Sequence, residues 1–259
     1  MSKVIAVANQ KGGVGKTTTV LSLAAALTEQ GCKALMVDAD PQGSLTLSCG
    51  VNPDLLQTEN TLFAVLSAVL HHEERPGIAD IIVRTQAGDL APSDIQLSMS
   101  DLDFSGESTS VYILNDALEA VRSRYDFVLI DTPPSLGILT LNALAAADSV
   151  IVPLQVDYLA AKGLDLVLQT IGKVQSRINN FLRVEGVLLT MADMRTAHAR
   201  EVMEATRQRL GAANIRVFDS VIRDWVRLKE APASGQSILT YAKGSQGAEA
   251  YRQLARELL

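Results

Sequence analysis

A glycine-rich segment near the start of the chain, set between an apolar run and a helical pattern, constrains the fold more than any other feature. Glycines permit backbone torsions that other residues avoid and let a bound anion approach the backbone closely. The N–H groups of such a turn form an anion cradle, and the N-terminus of the following helix adds its positive dipole. The sequence therefore predicts a phosphate-binding loop at Gln10-Lys11-Gly12-Gly13-Val14-Gly15-Lys16-Thr17-Thr18.

Two side chains of this loop have specific expected roles. We expect Lys16 to reach the β- and γ-phosphates of a nucleotide and the hydroxyl of Thr17 to bind Mg²⁺. The segment departs from the general G-x-x-x-x-G-K-[ST] pattern, because Gln10 occupies the position of the first glycine and Lys11 adds a second lysine. The predicted nucleotide-binding residues are Lys11, Gly12, Gly13, Val14, Gly15, Lys16, Thr17 and Thr18.

Aspartates follow two predicted buried strands, which end in Val37-Asp38-Ala39-Asp40 and in Ile130-Asp131-Thr132. Open α/β sheets bind ligands at the carboxyl ends of their strands. We expect Asp131 to contact Mg²⁺ through water and Asp40 to orient the attacking water, with a water-mediated contact to Mg²⁺ also open for Asp40. The role of Asp38 stays open between a structural and a functional one.

Short apolar runs alternate with helical patterns along the chain. Strands are predicted at 4–9, 34–40, 78–84, 127–132, 149–153, 184–191 and 217–222, and helices at 16–30, 61–71, 112–122, 139–147, 160–178, 197–210 and 245–259. Strands that are continuously apolar are buried on both faces. The pattern predicts an α/β fold, with a doubly wound, mainly parallel sheet and helices on both faces. We expect a single domain over 1–259, with a polar loop at 101–110.

Composition narrows the class of protein. Hydrophobic residues make up 47% of the 259 residues and charged residues 20%, which excludes a disordered chain. Two cysteines cannot form a disulfide framework, so we expect a reducing compartment. The start shows no secretory pattern, and no run of about 18 apolar residues occurs, which predicts a cytoplasmic protein. The net charge of -6 conceals a basic end, because 195–259 carries eleven basic and seven acidic residues.

Together these segments resemble the ParA/MinD family of ATPases with a deviant Walker A motif. The resemblance rests on the phosphate loop, on 38–43, 131–136 and 141–147, and on Val226-Arg227-Leu228 and Glu230-Ala231-Pro232. It extends from residue 4 to near the end of the sequence and is closest to the short ParA (Soj-like) type without an N-terminal helix-turn-helix. It implies a P-loop NTPase-like fold, with ATP and Mg²⁺ as cofactors.

The resemblance also implies a function. Members form an ATP-dependent homodimer in which the residue matching Lys11 reaches the nucleotide of the other subunit, so Lys11 joins Lys16 and Asp40 as a predicted catalytic residue. A cation delivered in trans neutralises transition-state charge, as an arginine finger does. The implied protein is a nucleoid-associated ATP hydrolase of weak basal activity. It positions DNA or a protein cargo, and a ParB-like or cargo-adaptor partner stimulates its hydrolysis.

Family members of this type bind double-stranded DNA non-specifically in the ATP state. Contacts to DNA phosphates release counterions, so such binding weakens steeply with salt. In this family the sequence Pro-Arg-Asn often stands near the nucleotide base, whereas here Arg223-Asp224-Trp225 does. This leaves open whether Trp225 packs on the base, lies in the core, or faces DNA or a partner. The predicted DNA-binding residues are Arg195, Arg200, Arg223, Arg227 and Lys229.

Three alternatives remain open from the sequence. A MinD-like membrane-associated ATPase requires an amphipathic C-terminal anchor. The C-terminal stripe of Tyr251, Leu254, Ala255 and Leu258 has only two basic neighbours, so docking of the stripe on the domain is the simpler interpretation. The others are a nucleotide-dependent scaffold with little hydrolysis and a metabolic enzyme that transfers phosphate to a small molecule. The nitrogenase iron protein branch is disfavoured, because two scattered cysteines cannot hold an Fe–S cluster.

Overall fold

The computed structural model describes residues 2–73, 76–100, 104, 110–157 and 160–259. The described strands are β1 Lys3–Val7, β2 Ala34–Asp38, β3 Val83–Thr85, β4 Gly88–Ala91, β5 Phe127–Asp131, β6 Ser149–Gln155, β7 Arg183–Ala192 and β8 Val217–Arg223. The described α-helices are α1 Lys16–Glu29, α2 Ser44–Ser48, α3 Leu62–Leu70, α4 Ile113–Arg122, α5 Ile138–Ala146, α6 Ala160–Arg177, α7 Ala197–Ala212, α8 Arg227–Ala233, α9 Ile238–Tyr241 and α10 Gln246–Leu258. The loop predicted at 101–110 lies outside the described residues apart from Phe104 and Ser110.

The eight strands form one sheet in the order β3-β4-β2-β5-β1-β6-β7-β8. Neighbouring strands of this described sheet are parallel, except that β3 pairs antiparallel with β4. The predicted α/β class is confirmed. Strand β1 lies between β5 and β6, so the chain winds outward from β1 in both directions. Ligands of open α/β sheets bind at such a switch point.

Two apolar layers cover the two faces of the sheet. Alternate residues of β1 belong to different layers: Val4 and Ala6 pack on one face, and Ile5 and Val7 on the other. The first layer is completed by α3 to α7, and the second by α1, α2 and α8 to α10. Because both faces are covered, the central strands are fully buried, which explains their continuous apolar sequence.

The prediction of a strand at 78–84 is wrong in most of its length. Ile78–Asp80 forms a 3₁₀ helix, and only Val83–Thr85 forms a strand. The sequence prediction also missed β4, to which this strand pairs through a tight turn. Both strands have three or four residues, and such lengths are too short to show a period.

The C-terminal helix α10 is docked on the domain, as the sequence predicted. Its apolar residues Tyr251, Leu254 and Leu258 are buried among the residues of the second layer. Glu257 also covers part of the exposed edge of β8, where its carboxylate accepts the backbone N–H groups of Asp219 at 3.0 Å and Ser220 at 2.9 Å. Unpaired N–H groups at a sheet edge invite pairing with another chain, and this carboxylate satisfies two of them.

Candidate functional site

The glycine-rich loop lies between the end of β1 and the start of α1, at the switch point of the sheet. Gly13 and Gly15 have φ values of 74° and 89°, in the left-handed region that side chains disfavour. Helix α1 begins at Lys16. The first backbone N–H groups of a helix have no partner inside it, so they face the loop together with the positive end of the helix dipole.

Three bonds from distant or neighbouring segments hold this loop. The Asn9 amide donates to the carbonyl oxygen of Pro153 in β6 at 2.7 Å, while its own Oδ1 accepts the Lys11 N–H at 3.0 Å. The Thr190 hydroxyl of β7 donates to the carbonyl oxygen of Val14 at 2.9 Å. The loop is therefore held by β6 and β7, the two strands that follow β1 on one side of the sheet.

Lys16 is only 7% exposed, an unusual position for a lysine. Its ammonium donates to the carbonyl oxygen of Lys11 at 3.4 Å, across the loop. Burial lowers the pKa of Lys16, and the carboxylates of Asp131 and Asp40 oppose this effect. A cation so poorly hydrated gains strongly from an anion in the cradle.

Thr17 and Asp131 form the second polar pair of the site. The Thr17 hydroxyl donates to Oδ2 of Asp131 at 2.7 Å, whereas Oδ1 of Asp131 is buried and has no hydrogen-bond partner. Burial first and the neighbouring Asp38 second raise the pKa of Asp131 well above its usual value. A buried acceptor left without a donor is costly, and a hydrated cation beside it would supply one. The donor set, a hydroxyl and a carboxylate, suits Mg²⁺.

The structure distinguishes Asp38, the last residue of β2, from Asp40, which lies two residues beyond the strand. Asp38 is fully buried and accepts the backbone N–H and the hydroxyl of Thr46, at 2.8 and 2.7 Å, so it ties β2 to α2. Burial raises the pKa of Asp38 to about 6 against the opposing effect of these bonds. Asp40 is 8% exposed, and its Oδ1 accepts the Gln42 N–H at 3.0 Å. The contacts of Asp38 are structural, whereas Asp40 lies close enough to Lys16 to act on it.

Lys11 does not share the burial of Lys16. Its side chain is 43% exposed, and its ammonium forms an ion pair with Asp157, just beyond the end of β6. The two lysines of the motif therefore differ in the isolated chain: Lys16 points across its own loop, and Lys11 points to a carboxylate beside it.

The predicted basic residues lie at or beyond the carboxyl ends of β7 and β8. Arg195 follows β7 and Arg223 ends β8, whereas Arg200 lies in α7 and Arg227 and Lys229 lie in α8. Arg223 and Lys229 line a cleft together with Gly15 of the phosphate loop. Ala192 and Arg223 are register partners, and the N–H of Asp224 donates to the carbonyl oxygen of Ala192 at 3.3 Å. This pairing places the segment 193–195 beside 223–229. We call the set Arg195, Arg200, Arg223, Arg227 and Lys229 the basic surface; all five residues are exposed.

Most members of the basic surface have a local partner. The Arg195 guanidinium donates two hydrogen bonds to the Asp193 carboxylate, at 2.8 and 3.0 Å, and these bonds raise the pKa of Arg195. Lys229 pairs with Asp224 at 3.0 Å. The Arg223 guanidinium donates to Gln246 at 3.1 Å, and that of Arg227 lies 5.2 Å from the ring centroid of Trp225. Arg200 lies in the first turn of α7.

Trp225, whose position the sequence left open, is half-buried and lines a small cleft beside the phosphate loop. Gly15, Thr18 and Met191 line the same cleft, whose volume is about 50 Å³. The roles of Asn9, Thr190 and Asp157 at the loop were not predicted from the sequence, because each acts through a partner far away in the chain.

A cradle at the switch point of a parallel sheet, a buried lysine and a Thr–Asp pair define the class of P-loop nucleoside triphosphatases. A family model described as an AAA domain matches residues 2–184. The Soj protein of Bacillus subtilis, a sporulation initiation inhibitor, is 41% identical over 260 residues, covering 100% of this chain and 98% of the relative. The chromosome partitioning protein ParA of Caulobacter vibrioides is 41% identical, covering 99% and 94%. The chain therefore belongs to the ParA/Soj family of chromosome-partitioning ATPases.

Solved structures agree on the fold. A Mycobacterium smegmatis protein described as cobyrinic acid a,c-diamide synthase, with bound ADP and magnesium, is 40% identical and has a TM-score of 0.85, covering 100% of this chain and 94% of that one. The septum site-determining protein MinD of Pyrococcus horikoshii, with Mg-ADP, has a TM-score of 0.75 and 24% identity, covering 100% and 96%. The second likeness shows the fold alone.

Proposed function

We propose that this chain is a Mg²⁺-dependent ATPase that dimerises with ATP and then binds double-stranded DNA without sequence preference. In this state it positions DNA or a protein cargo on the nucleoid until a ParB-like or cargo-adaptor partner stimulates hydrolysis. The observation that carries the proposal is that the phosphate loop, with its buried Lys16, shares one edge of the sheet with the basic surface. Membership of the partitioning family supports it.

The residues of the loop divide the work of holding ATP. The backbone N–H groups of residues 12–18 surround the phosphates, and the Lys16 ammonium neutralises the β- and γ-phosphates. Mg²⁺ would be held by the Thr17 hydroxyl and, through water, by Asp131, whose buried Oδ1 lacks a donor; there it supplies neutralisation of the phosphate charge. Asp40, which is not tied up by a helix as Asp38 is, orients the attacking water.

Lys11 is the proposed link between nucleotide and dimer. Its ammonium is paired with Asp157 in the isolated chain and is still 43% exposed. An exposed ion pair contributes little free energy, so a γ-phosphate from a second subunit competes well with the Asp157 carboxylate. Exchange of one anion for the other would couple ATP binding to dimerisation.

DNA binding follows the same logic on the basic surface. Asp193 and Asp224 are exposed partners of Arg195 and Lys229, so DNA phosphates can replace them at small cost. A dimer doubles the number of phosphate contacts, which strengthens binding and steepens its salt dependence. Because no groove-reading element is required for such contacts, sequence preference is not expected.

The test measures mass and DNA binding together. Light scattering and DNA titrations at two salt concentrations are made with ATP, with ADP and without nucleotide, for the native chain and for Lys11→Ala. We expect an ATP-dependent dimer with salt-sensitive DNA binding, and a monomer that binds DNA weakly for the variant. A native ATP dimer that ignores DNA would remove the DNA part of the proposal and leave the nucleotide switch.

Membrane positioning is the less favoured alternative. No helix in the described ranges is long and apolar enough to cross a bilayer. The C-terminal stripe of Tyr251, Leu254 and Leu258 is buried against the domain and would have to leave it to enter a membrane. Vesicle flotation with ATP distinguishes the two alternatives, because ATP-dependent flotation would favour membrane positioning over DNA positioning.

The description of the Mycobacterium smegmatis structure raises a second candidate, an ATP-dependent amide synthase for a corrinoid substrate. The cleft beside the phosphate loop holds about 50 Å³, too little for a corrin ring. A pocket of about 510 Å³ lies at the starts of β1, β6 and β7, at the opposite edge of the sheet. Glutamine- or ammonia-dependent amidation of cobyrinic acid with ATP would support this candidate; its absence alongside DNA binding would reject it.

A further inference from the structure

Thr190 lies far from the phosphate loop in the sequence and yet contacts it. It lies near the end of β7 and is 2% exposed. Its hydroxyl donates to the carbonyl oxygen of Val14 at 2.9 Å, across 176 residues of sequence. Val14 itself is 1% exposed, so this bond is shielded from water.

The bond fixes the direction of one peptide group. A trans peptide is planar, so the carbonyl of Val14 and the N–H of Gly15 point in opposite directions. Because Thr190 holds the carbonyl toward β7, the Gly15 N–H points away from β7, and we expect it to face the inner side of the loop. It is thus one donor of the predicted anion cradle.

Without the hydroxyl, this peptide has little to hold it. Gly15 follows it with φ at 89°, and glycine accepts both orientations of the preceding peptide at low cost. A flipped peptide would turn the Val14 carbonyl oxygen into the cradle. An acceptor would then face a polyphosphate where a donor is needed.

The backbone next to Thr190 has an unusual conformation. Met191, the next residue, has φ at 52°, a conformation that a non-glycine residue adopts only at a free-energy cost. The register between β7 and β8 shifts between Leu189 and Ala192, at the same place. Strained backbone of this kind persists where surrounding contacts determine it, and it clusters at binding sites.

We propose that Thr190 is a positioning residue of the phosphate loop: through the Val14 carbonyl, its hydroxyl aims the Gly15 N–H at the polyphosphate of the nucleotide. The inference rests on the proposed function, because it assumes that the loop binds ATP. It assigns to Thr190 no contact with the base or with the reacting atoms.

The experiment compares three variants by calorimetric titration with MgATP and with inorganic tripolyphosphate, and by thermal unfolding. Thr190→Val keeps the shape and removes the hydroxyl, and Thr190→Ser restores it. Thr61→Val is the matched control, because the Thr61 hydroxyl is equally buried and donates to the carbonyl oxygen of Thr58 at 2.8 Å, outside the site.

We expect Thr190→Val to bind both ligands about 10-fold more weakly, since the Gly15 N–H would no longer be held in position to donate to the charged polyphosphate. Thr190→Ser should bind within about 2-fold of the native chain, and Thr61→Val should bind like the native chain even if its melting temperature falls. The proposal requires the affinities for MgATP and for tripolyphosphate to fall equally. Tripolyphosphate has no base or ribose, so an equal loss locates the effect of Thr190 at the phosphates.

Native affinity in Thr190→Val would overturn the inference, and so would weak binding in Thr190→Ser. If Thr190→Val does not fold, the amide resonance of Gly15 in the native chain decides: a downfield shift on adding tripolyphosphate supports the inward N–H, and no shift overturns it. If the native chain binds neither ATP nor tripolyphosphate, the proposed function itself fails, and that result is distinct from a failure confined to the Thr190 variants.

Discussion

The phosphate loop and the basic surface lie at the same edge of the sheet, but they are built in opposite ways. In the loop, Lys16 and Asp131 are buried, and segments more than a hundred residues away hold their surroundings in place. On the basic surface, Arg195 and Lys229 are exposed and pair with aspartates two and five residues away.

The two regions should tolerate different substitutions. A buried charge or donor left without its partner costs roughly 1–3 kcal/mol or more, so one substitution can disable the loop. Exposed ion pairs contribute about 0–1 kcal/mol each and are screened by salt, so the basic surface acts through the sum of its charges. The loop should therefore respond to single atoms, and the surface to net charge and ionic strength.

The largest expected effect is that of Lys16→Ala. Removing the buried ammonium leaves the phosphates and two carboxylates without their cation, so ATP affinity should fall by about 100-fold or more. Equilibrium titration with MgATP measures it, and Lys33→Ala, an exposed lysine before β2, is the control. Unchanged ATP affinity in Lys16→Ala would contradict this contrast, because the phosphate loop would then tolerate loss of a single charge as the basic surface does.

Substitutions of Asp38 and Asp40, at the end of β2 and just beyond it, should have different effects: one on stability and the other on ATP hydrolysis. We expect Asp40→Ala to slow ATP hydrolysis by roughly 100-fold while the ATP dimer still forms, because the residue acts on the attacking water. Asp38→Asn should instead lower the free energy of unfolding, by about 1–3 kcal/mol, because two bonds to Thr46 are perturbed in the core. Phosphate release and light scattering test the first variant, and denaturant unfolding the second.

Loss of the ATP dimer in Asp40→Ala would show that this carboxylate holds the metal or the fold rather than the water. An Asp38→Asn variant of native stability would show that the bonds between β2 and α2 matter less than their burial suggests.

The contrast between the two regions also explains what the sequence could predict. The order and type of the long elements followed from apolar runs and helical periods, because both faces of the sheet are covered. The residues of the phosphate loop are consecutive, so their motif was visible as a string. Asp131 was predicted as a magnesium contact because it stands at the end of a buried strand, and the structure brings its Oδ2 within 2.7 Å of the Thr17 hydroxyl.

What the sequence missed depends on contacts between distant segments or on lengths too short for a period. The bond from Thr190 to Val14 and the pairing of Lys11 with Asp157 belong to no motif. The strand predicted at 78–84 failed because a 3₁₀ turn and a short antiparallel strand share its apolar residues. The structural contacts of Asp38 required knowledge of where Thr46 lies.

A smaller effect is expected on the basic surface. Arg195→Glu reverses a charge at each of the two copies in a dimer, so DNA affinity should fall by about 10-fold at low salt, with a shallower salt dependence. ATP-driven dimerisation should not change. Arg124→Glu is the control, because Arg124 is exposed at the opposite edge of the sheet, just before β5.

DNA titrations over a range of salt concentrations measure both the affinity and its slope for these two arginine variants. Equal losses in both variants would show that only net charge matters, and the basic surface would have no special place. A loss of DNA affinity in Arg195→Glu alone would support the contrast between the basic surface, where the charges of several residues add up, and the phosphate loop, where individual atoms are positioned.

The smallest expected effect is that of Glu257→Gln. The Glu257 side chain is 13% exposed, so it is less buried than Lys16 and less exposed than the residues of the basic surface. Burial raises the pKa of Glu257, but bonds from the Ser220 hydroxyl, from two backbone N–H groups and from Arg216 outweigh it and lower the pKa. A lowered pKa stabilises the fold at pH values above the unfolded pKa of about 4.3, and this stability is lost as the pH falls through the folded pKa.

The free energy of unfolding of the native chain should therefore exceed that of Glu257→Gln by about 1 kcal/mol at pH 7, and the difference should disappear under acid conditions. Denaturant unfolding at pH 7 and pH 3.5, with Glu119→Gln as an exposed control, measures the gap; a gap that is constant with pH would show that shape, and not charge, holds α10 to the edge of β8.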